Sequence, residues 1–211
     1  MKTSILIAVF AVAALIVAGC GLTANSNRSG SGTTAASAVS SAVNKLSGRT
    51  FTFQSLPQNL TELKARPEAT LKDPYGVAAL VVAALNRYEA SQSDCIEMLN
   101  FLKGPEPLSA YEKQFIRERF EGNKYYKARS FFKGATPEND YKPNTPYTIT
   151  VEPNPYSFQT DGWCTLWLKS GGADSLRPIK LRKKASTGEW FLNEIQFLSD
   201  IRVPASQDAW H

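Results

Sequence analysis

From Tyr147 onward, apolar and polar side chains alternate with a period of two, which predicts strands over Tyr147–Val151, Gly162–Lys169, Leu176–Lys184 and Glu189–Phe197. Gly171-Gly172 and Ser186-Thr187-Gly188 supply hairpin turns between them. Upstream the period lengthens to that of a helix. Asp73 is placed as an N-cap with Pro74 at the first helical position. The run Val77–Leu85 that follows is apolar nearly all round, so this helix, reaching to about Ala90, is predicted to be the buried centre of the domain. Ser91 or Ser93 caps a second helix whose inner stripe is Cys95, Met98, Leu99 and Leu102, and Gly104-Pro105-Glu106-Pro107 stops it after Lys103. Ser109 and Glu112 form a capping-box pattern opening a third helix, with Tyr111, Phe115, Ile116 and Phe120 as its apolar face and Gly122 at its end.

Two shorter segments precede these helices. Thr50–Gln54 alternates like a strand, and Leu60–Ala65 has the length of a helical turn or two. Asn123–Pro146 has no period but holds Tyr125, Tyr126, Phe131, Phe132 and Tyr141, which predicts an irregular segment packed down on the domain. The order is that of an α+β domain over residues 49–211: an N-terminal strand, about three helices, then a four-stranded antiparallel meander packed on them.

The first 48 residues follow a different pattern. Lys2 is followed by an apolar run from Ile5 to Val17, and Val17-Ala18-Gly19-Cys20 matches a lipobox, an aliphatic and two small residues before a cysteine. Residues 1–19 therefore read as a lipoprotein signal peptide, with Cys20 as the residue that receives diacylglycerol. The apolar run is shorter than the roughly 20 residues a membrane span needs. The stretch 20–48, rich in Ser, Gly and Thr and almost free of large apolar side chains, cannot bury enough surface to offset its ordering entropy and reads as a flexible tether. The expected location is extracytoplasmic, in the cell envelope, with the membrane as a partner through the lipid on Cys20.

Composition narrows the chemistry. The sole histidine, His211, is the last residue, which excludes a Ser-His-Asp triad, a Cys-His pair and a histidine-built zinc site. No cofactor and no metal site is expected. Glu138-Asn139-Asp140 offers oxygens to a calcium ion but lacks the alternating ligands and closing Glu of a calcium loop. Besides Cys20 there are two cysteines. Both Cys95 and Cys164 fall on predicted inner faces in an oxidising compartment, so they are either a disulfide or two separate buried thiols. The chain is mildly basic, with 24 Lys and Arg against 19 Asp and Glu, which permits contact with anionic headgroups or wall polymers without requiring it. Nothing points to nucleic acid.

Two features of the meander are candidate binding surfaces. Alternation places Lys180, Arg182 and Lys184 on one face of the third strand and Ile179 and Leu181 on the other. Such a stripe faces either an anion, lipid or wall phosphate, or simply water, where it also discourages edge pairing. Trp163 and Trp167 share one face of the second strand, opposite Cys164, Leu166 and Leu168. They are either a platform on which sugar rings stack or rings covered by another part of the chain.

The folded part also resembles a family of bacterial domains that is itself functionally uncharacterised. The residues carrying this are Leu56–Leu60, Leu71–Tyr75, Cys95–Pro105, Tyr111–Phe115, Gly134–Asn139, Ser170–Ser175, Lys180–Lys184, Trp190–Leu192 and Ser199–Pro204. The resemblance covers most of residues 50–211, implies no activity and brings no catalytic or binding residues with it. A looser likeness, through Gly188-Glu189-Trp190, is to cone-shaped α+β folds with a pocket between helices and a curved sheet. The expected function is a non-catalytic envelope binding or adaptor module, whose partner is an anionic lipid or cell-wall polymer or an envelope protein. The alternatives are a carboxylate-dependent cell-wall glycan hydrolase and a structural subunit of an envelope assembly.

Overall fold

A computed structural model describes residues 47–210. The expected signal peptide, the expected lipidation residue Cys20, nearly all of the expected tether, and His211 lie outside the described residues.

The fold is α+β. Five strands, β1 (Arg49–Phe53), β2 (Tyr147–Glu152), β3 (Trp163–Leu168), β4 (Arg177–Lys184) and β5 (Glu189–Glu194), form one antiparallel sheet in sequence order. The N-terminal strand thus joins the predicted four-stranded meander as its fifth member, with Phe51 facing Ile149 across the β1–β2 pair. Five α-helices lie between β1 and β2: α1 (Leu60–Lys64), α2 (Pro74–Leu85), α3 (Gln92–Lys103), α4 (Ala110–Phe120) and α5 (Tyr126–Arg129). The predicted caps are in place. Asp73 accepts from the Tyr75 amide, Ser91 from the Asp94 amide, and Ser109 and Glu112 close a capping box on α4.

All twelve residues of α2 are buried, as its uniformly apolar sequence requires. One side lies on the sheet, where α2 touches every strand, and the other is covered by α3. Val77, Leu80, Val81 and Leu85 meet Ile149, Val151, Leu166, Ile179, Leu181 and Leu192 in a single core. Side chains thus fill the space between α2 and the sheet. Helix α2 ends five residues earlier than predicted, because the Asn86 side chain donates to the carbonyls of Val82 and Ala128 and residues 86–90 continue as turns. The last strand also stops short of the predicted Phe197, at Glu194. Tyr111, predicted on the apolar face of α4, is instead 78% exposed.

The sheet is split. Strands β2 and β3 pair only through Val151–Leu168 and Glu152–Trp167, then diverge. The segment after α5 fills the gap. The Lys133 amide donates to Thr148 O at 2.8 Å, and the Gly171 amide to Ser130 O at 2.8 Å. Ser130 and Ser170, both buried, are joined by a hydroxyl hydrogen bond of 2.8 Å. Further along β3, the Thr165 amide donates to Ser157 O, so backbone groups freed by the split find partners. The aromatic segment 123–146 is packed down, as expected, with Tyr126, Phe131, Phe132 and Tyr141 all buried.

Gly171 and Gly172 are turn residues in the connection between β3 and β4, as expected, but that connection is longer than a tight hairpin turn, running from 169 to 176. They lie where the wedge approaches most closely: a side chain on Gly171 would overlap the Ala135 carbonyl, and one on Gly172 the Tyr141 hydroxyl.

Cys95 and Cys164 are buried and unbridged. Their elements are separated by α2: α3 packs on α1, α2 and β5, while α2 is the helix that lies against β3. The bridge considered from sequence is thus replaced by its alternative, two separate buried thiols. In a chain carrying Cys20→Ser, a thiol reagent is expected to find essentially no fast-reacting group in the native protein and two in denaturant. A reading of none in both states would mean a disulfide.

Candidate functional site

The β4–β5 hairpin and its neighbour β3 bring together residues far apart in sequence. On the side of the sheet away from α2, Trp163 of β3 stands opposite Arg182 of β4, which stands opposite Phe191 of β5. The row follows from strand alternation. Ile179, Leu181 and Leu192 turn into the core, so Lys180, Arg182, Lys184 and Phe191 turn outward. The two surfaces predicted separately, the basic stripe and the tryptophans, are one surface.

Their members are not equivalent. The Arg182 guanidinium lies 5.2 Å from the centroid of the Trp163 ring, a cation–π contact on an exposed face. Trp163 is 37% exposed. Trp167 faces the same way but is half-buried, with its indole nitrogen enclosed and without a hydrogen-bond partner. Trp163 is thus the more exposed of the two rings. Lys180 is paired with Glu194 at 3.1 Å, and Arg177, at the far end of β4, donates to the Asp200 carbonyl. Arg182 and Lys184 have no ion pair among the described residues, so the positive charge the face offers comes from these two.

Beside this row lies a pocket of about 340 Å³. One wall is Lys103, Pro105 and Glu106, at the end of α3, and the other is Arg182–Ala185. Phe191, Leu192 and Asn193 of β5 lie between them. The pocket exists because α3 ends at Gly104, whose φ of 72° is open to glycine and whose α-carbon sits against the Phe191 ring, leaving no room for a side chain. Lys103 does not contribute free charge, since its ammonium donates to Glu112 Oε1 at 2.6 Å and to Asn193 O at 3.4 Å. Burial raises the Glu112 pKa, but the Lys103 bond and those from the backbone and side chain of Ser109 outweigh it and hold the carboxyl below its ordinary range. The contact to Asn193 O, with the Trp190 amide bonded to Leu71 O at 2.7 Å, also covers the free edge of β5.

Phe191, Pro105 and Glu106 were not among the sequence candidates. The signal for Phe191 lay in the hairpin: pairing Lys184 with Glu189 across the Ser186-Thr187-Gly188 turn places Phe191 opposite Arg182. The wall from the end of α3 carried no such signal, since Gly104-Pro105-Glu106-Pro107 reads only as a helix stop.

The calcium candidate is used structurally. Asp140 accepts from the hydroxyl and amide of Ser206, and Asn139 bonds the backbone of Gly134, Thr136 and Lys142. Among the described residues no cluster of three or more His, Cys, Asp or Glu is placed to hold a metal, and no helix is long and apolar enough to cross a membrane.

Comparison with curated proteins and with solved structures gives no match. One family model matches residues 55–205, a stretch containing every strand but β1 and the whole of the pocket, and by that match the chain belongs to the domain of unknown function DUF6935.

Proposed function

We propose that the protein is a lipid-anchored module of the cell envelope, tethered through Cys20, that binds an anionic envelope polymer by the outer face of its sheet and does so without catalysis. The observation that carries this is the row Trp163–Arg182–Phe191, in which a guanidinium without an ion pair among the described residues lies over an exposed indole. Contact with the ring replaces part of the hydration of Arg182, which lessens what is lost when an anion arrives, and Lys184 adds a second charge without an ion pair among the described residues, two residues along the same face. The lipobox and the polar tether support the location, because such a stretch lets the domain reach a polymer near the membrane.

The test uses the chain from residue 20 onward with Cys20→Ser, sedimented with purified envelope at low and high salt. Binding is expected to fall as salt rises. An Arg182→Ala/Lys184→Ala variant should lose the salt-sensitive part by about tenfold or more, as removal of two charge-assisted contacts implies. Lys180→Ala should change little, because Glu194 already offsets that charge. Wild-type protein that stays in the supernatant at low salt would dispose of this reading.

A further inference from the structure

The pocket beside the row differs from the open face in what it can recognise. Its walls offer three kinds of group at once. Phe191 and Pro105 are apolar, and the ring of Phe191 is held in place by Gly104. Arg182 and Lys184 are cations without ion pairs among the described residues. Asn193 and Glu106 are uncharged and anionic hydrogen-bonding groups on the β5 and α3 sides. A volume of about 340 Å³ is at the small end of ligand pockets.

Each group excludes a class of ligand. A bare inorganic anion would leave the apolar floor unused and sit beside Glu106. A flat aromatic acid would stack on Phe191 and pair with Arg182 but would leave the Asn193 amide and the Glu106 carboxylate without donors and acceptors to meet. A neutral sugar would use those two and the ring and leave both cations unmatched. A sugar ring carrying an anionic substituent meets all three requirements. Its C–H face packs on Phe191, its hydroxyls reach Asn193 and Glu106, and its carboxylate or phosphate meets Arg182 and Lys184. We infer that this pocket is a binding site for one acidic sugar unit, a uronate or a sugar phosphate. The inference rests on the polymer-binding reading above and sharpens it, with the pocket gripping a single unit of the polymer that the open face attracts.

The test follows the backbone amides of the isotope-labelled Cys20→Ser chain by NMR during titration with D-glucuronate and, separately, glucose 6-phosphate. Glucose supplies the ring without the charge, and glycerol phosphate the charge without the ring. Saturating shifts are expected at Gly104, Lys184, Ala185 and Phe191 with one or both acidic sugars, and the one that binds identifies the anion. Glucose and glycerol phosphate should bind about tenfold or more weakly. Phe191→Leu, which keeps apolar bulk against Gly104 but removes the flat ring, should weaken the acidic sugar by a similar factor while leaving amide shifts outside the pocket, and so the fold, in place. Four ligands that shift the same amides equally, no saturating shift with either acidic sugar, or full affinity in Phe191→Leu would each overturn the pocket assignment. Because sedimentation is measured on the same protein, an empty pocket with envelope binding intact is distinguishable from failure of the polymer reading itself.

Discussion

Gly171→Ala is expected to destabilise the domain by about 3 kcal/mol, the upper end of what overpacking a core commonly costs. The new methyl group would overlap the Ala135 carbonyl oxygen. That oxygen belongs to backbone, so it cannot swing aside as the end of a flexible side chain would. The strand end and the wedge would have to separate, which would lengthen the Gly171–Ser130 hydrogen bond and disturb the buried Ser130–Ser170 pair. Gly172→Ala should behave alike, since its methyl group would meet the Tyr141 hydroxyl, which donates to Arg202 O at 2.7 Å. Gly48→Ala is the control: its side chain meets only ordinary contacts and should shift stability by no more than about 0.5 kcal/mol. Urea midpoints of the three variants decide the matter. If Gly171→Ala were indistinguishable from Gly48→Ala, the wedge would be a soft contact and not the element that holds the split sheet together.

These glycines also mark where sequence reading reached its limit. Gly-Gly between two alternating segments satisfies every local rule for a tight hairpin, and the residues that make the position special, Ala135 and Tyr141, lie far away in the chain. No periodicity reports a close approach of that kind. What was legible was local or repetitive: the caps at Asp73 and Ser109, a cap at Ser91 or Ser93, the uniformly apolar α2, and the inner stripes of β3 and β4. The pairing of β1 with β2 was not legible, because Thr50–Gln54 alternates like any edge strand and its partner stands almost a hundred residues on. The end of α2 at Leu85 depends on the Asn86 side chain finding Ala128 O, again a tertiary contact.

The candidate face divides in the same way. Period-two alternation was enough to place Lys180, Arg182 and Lys184 together, and Trp163 with Trp167. It could not show that the two sets share a side of the sheet, since that depends on the order of the strands and the direction in which the hairpins fold. Nor could it separate Lys180, neutralised by Glu194, from Arg182, stacked on Trp163. Strand order turns two unremarkable surface features into a composite one, in which unpaired charge and aromatic surface are adjacent.

Stability is expected to fall steeply between pH 10 and 12, with unfolding inside that window. Tyr75 and Tyr141 are buried, and burial pushes each phenol from 10.0 up to about 12. At Tyr75, the Arg49 guanidinium above the ring pulls the other way but does not cancel the effect. Tyr88 and Tyr126 are raised in the same direction by the same cause. The folded protein thus keeps its protons at a pH where the unfolded chain has begun to lose them. Unfolding then releases protons, so the stabilisation is complete below about pH 10 and is lost as pH rises toward 12. Each tyrosine contributes about 1.4 kcal/mol per pH unit, so Tyr75 and Tyr141 together remove on the order of 5 kcal/mol across the window. That is comparable to the whole stability of a small domain, roughly 5–15 kcal/mol. Circular dichroism and tyrosinate absorbance recorded on one titration should show part of the absorbance rising together with the loss of structure. Tyr141→Phe should lose about 1 kcal/mol at neutral pH with its bond to Arg202 O, yet show a shallower pH dependence, since one of the raised phenols is gone. If all eight tyrosines titrated smoothly while the dichroism stayed constant to pH 12, the burial of these two phenols would not be controlling the alkaline limit of the fold.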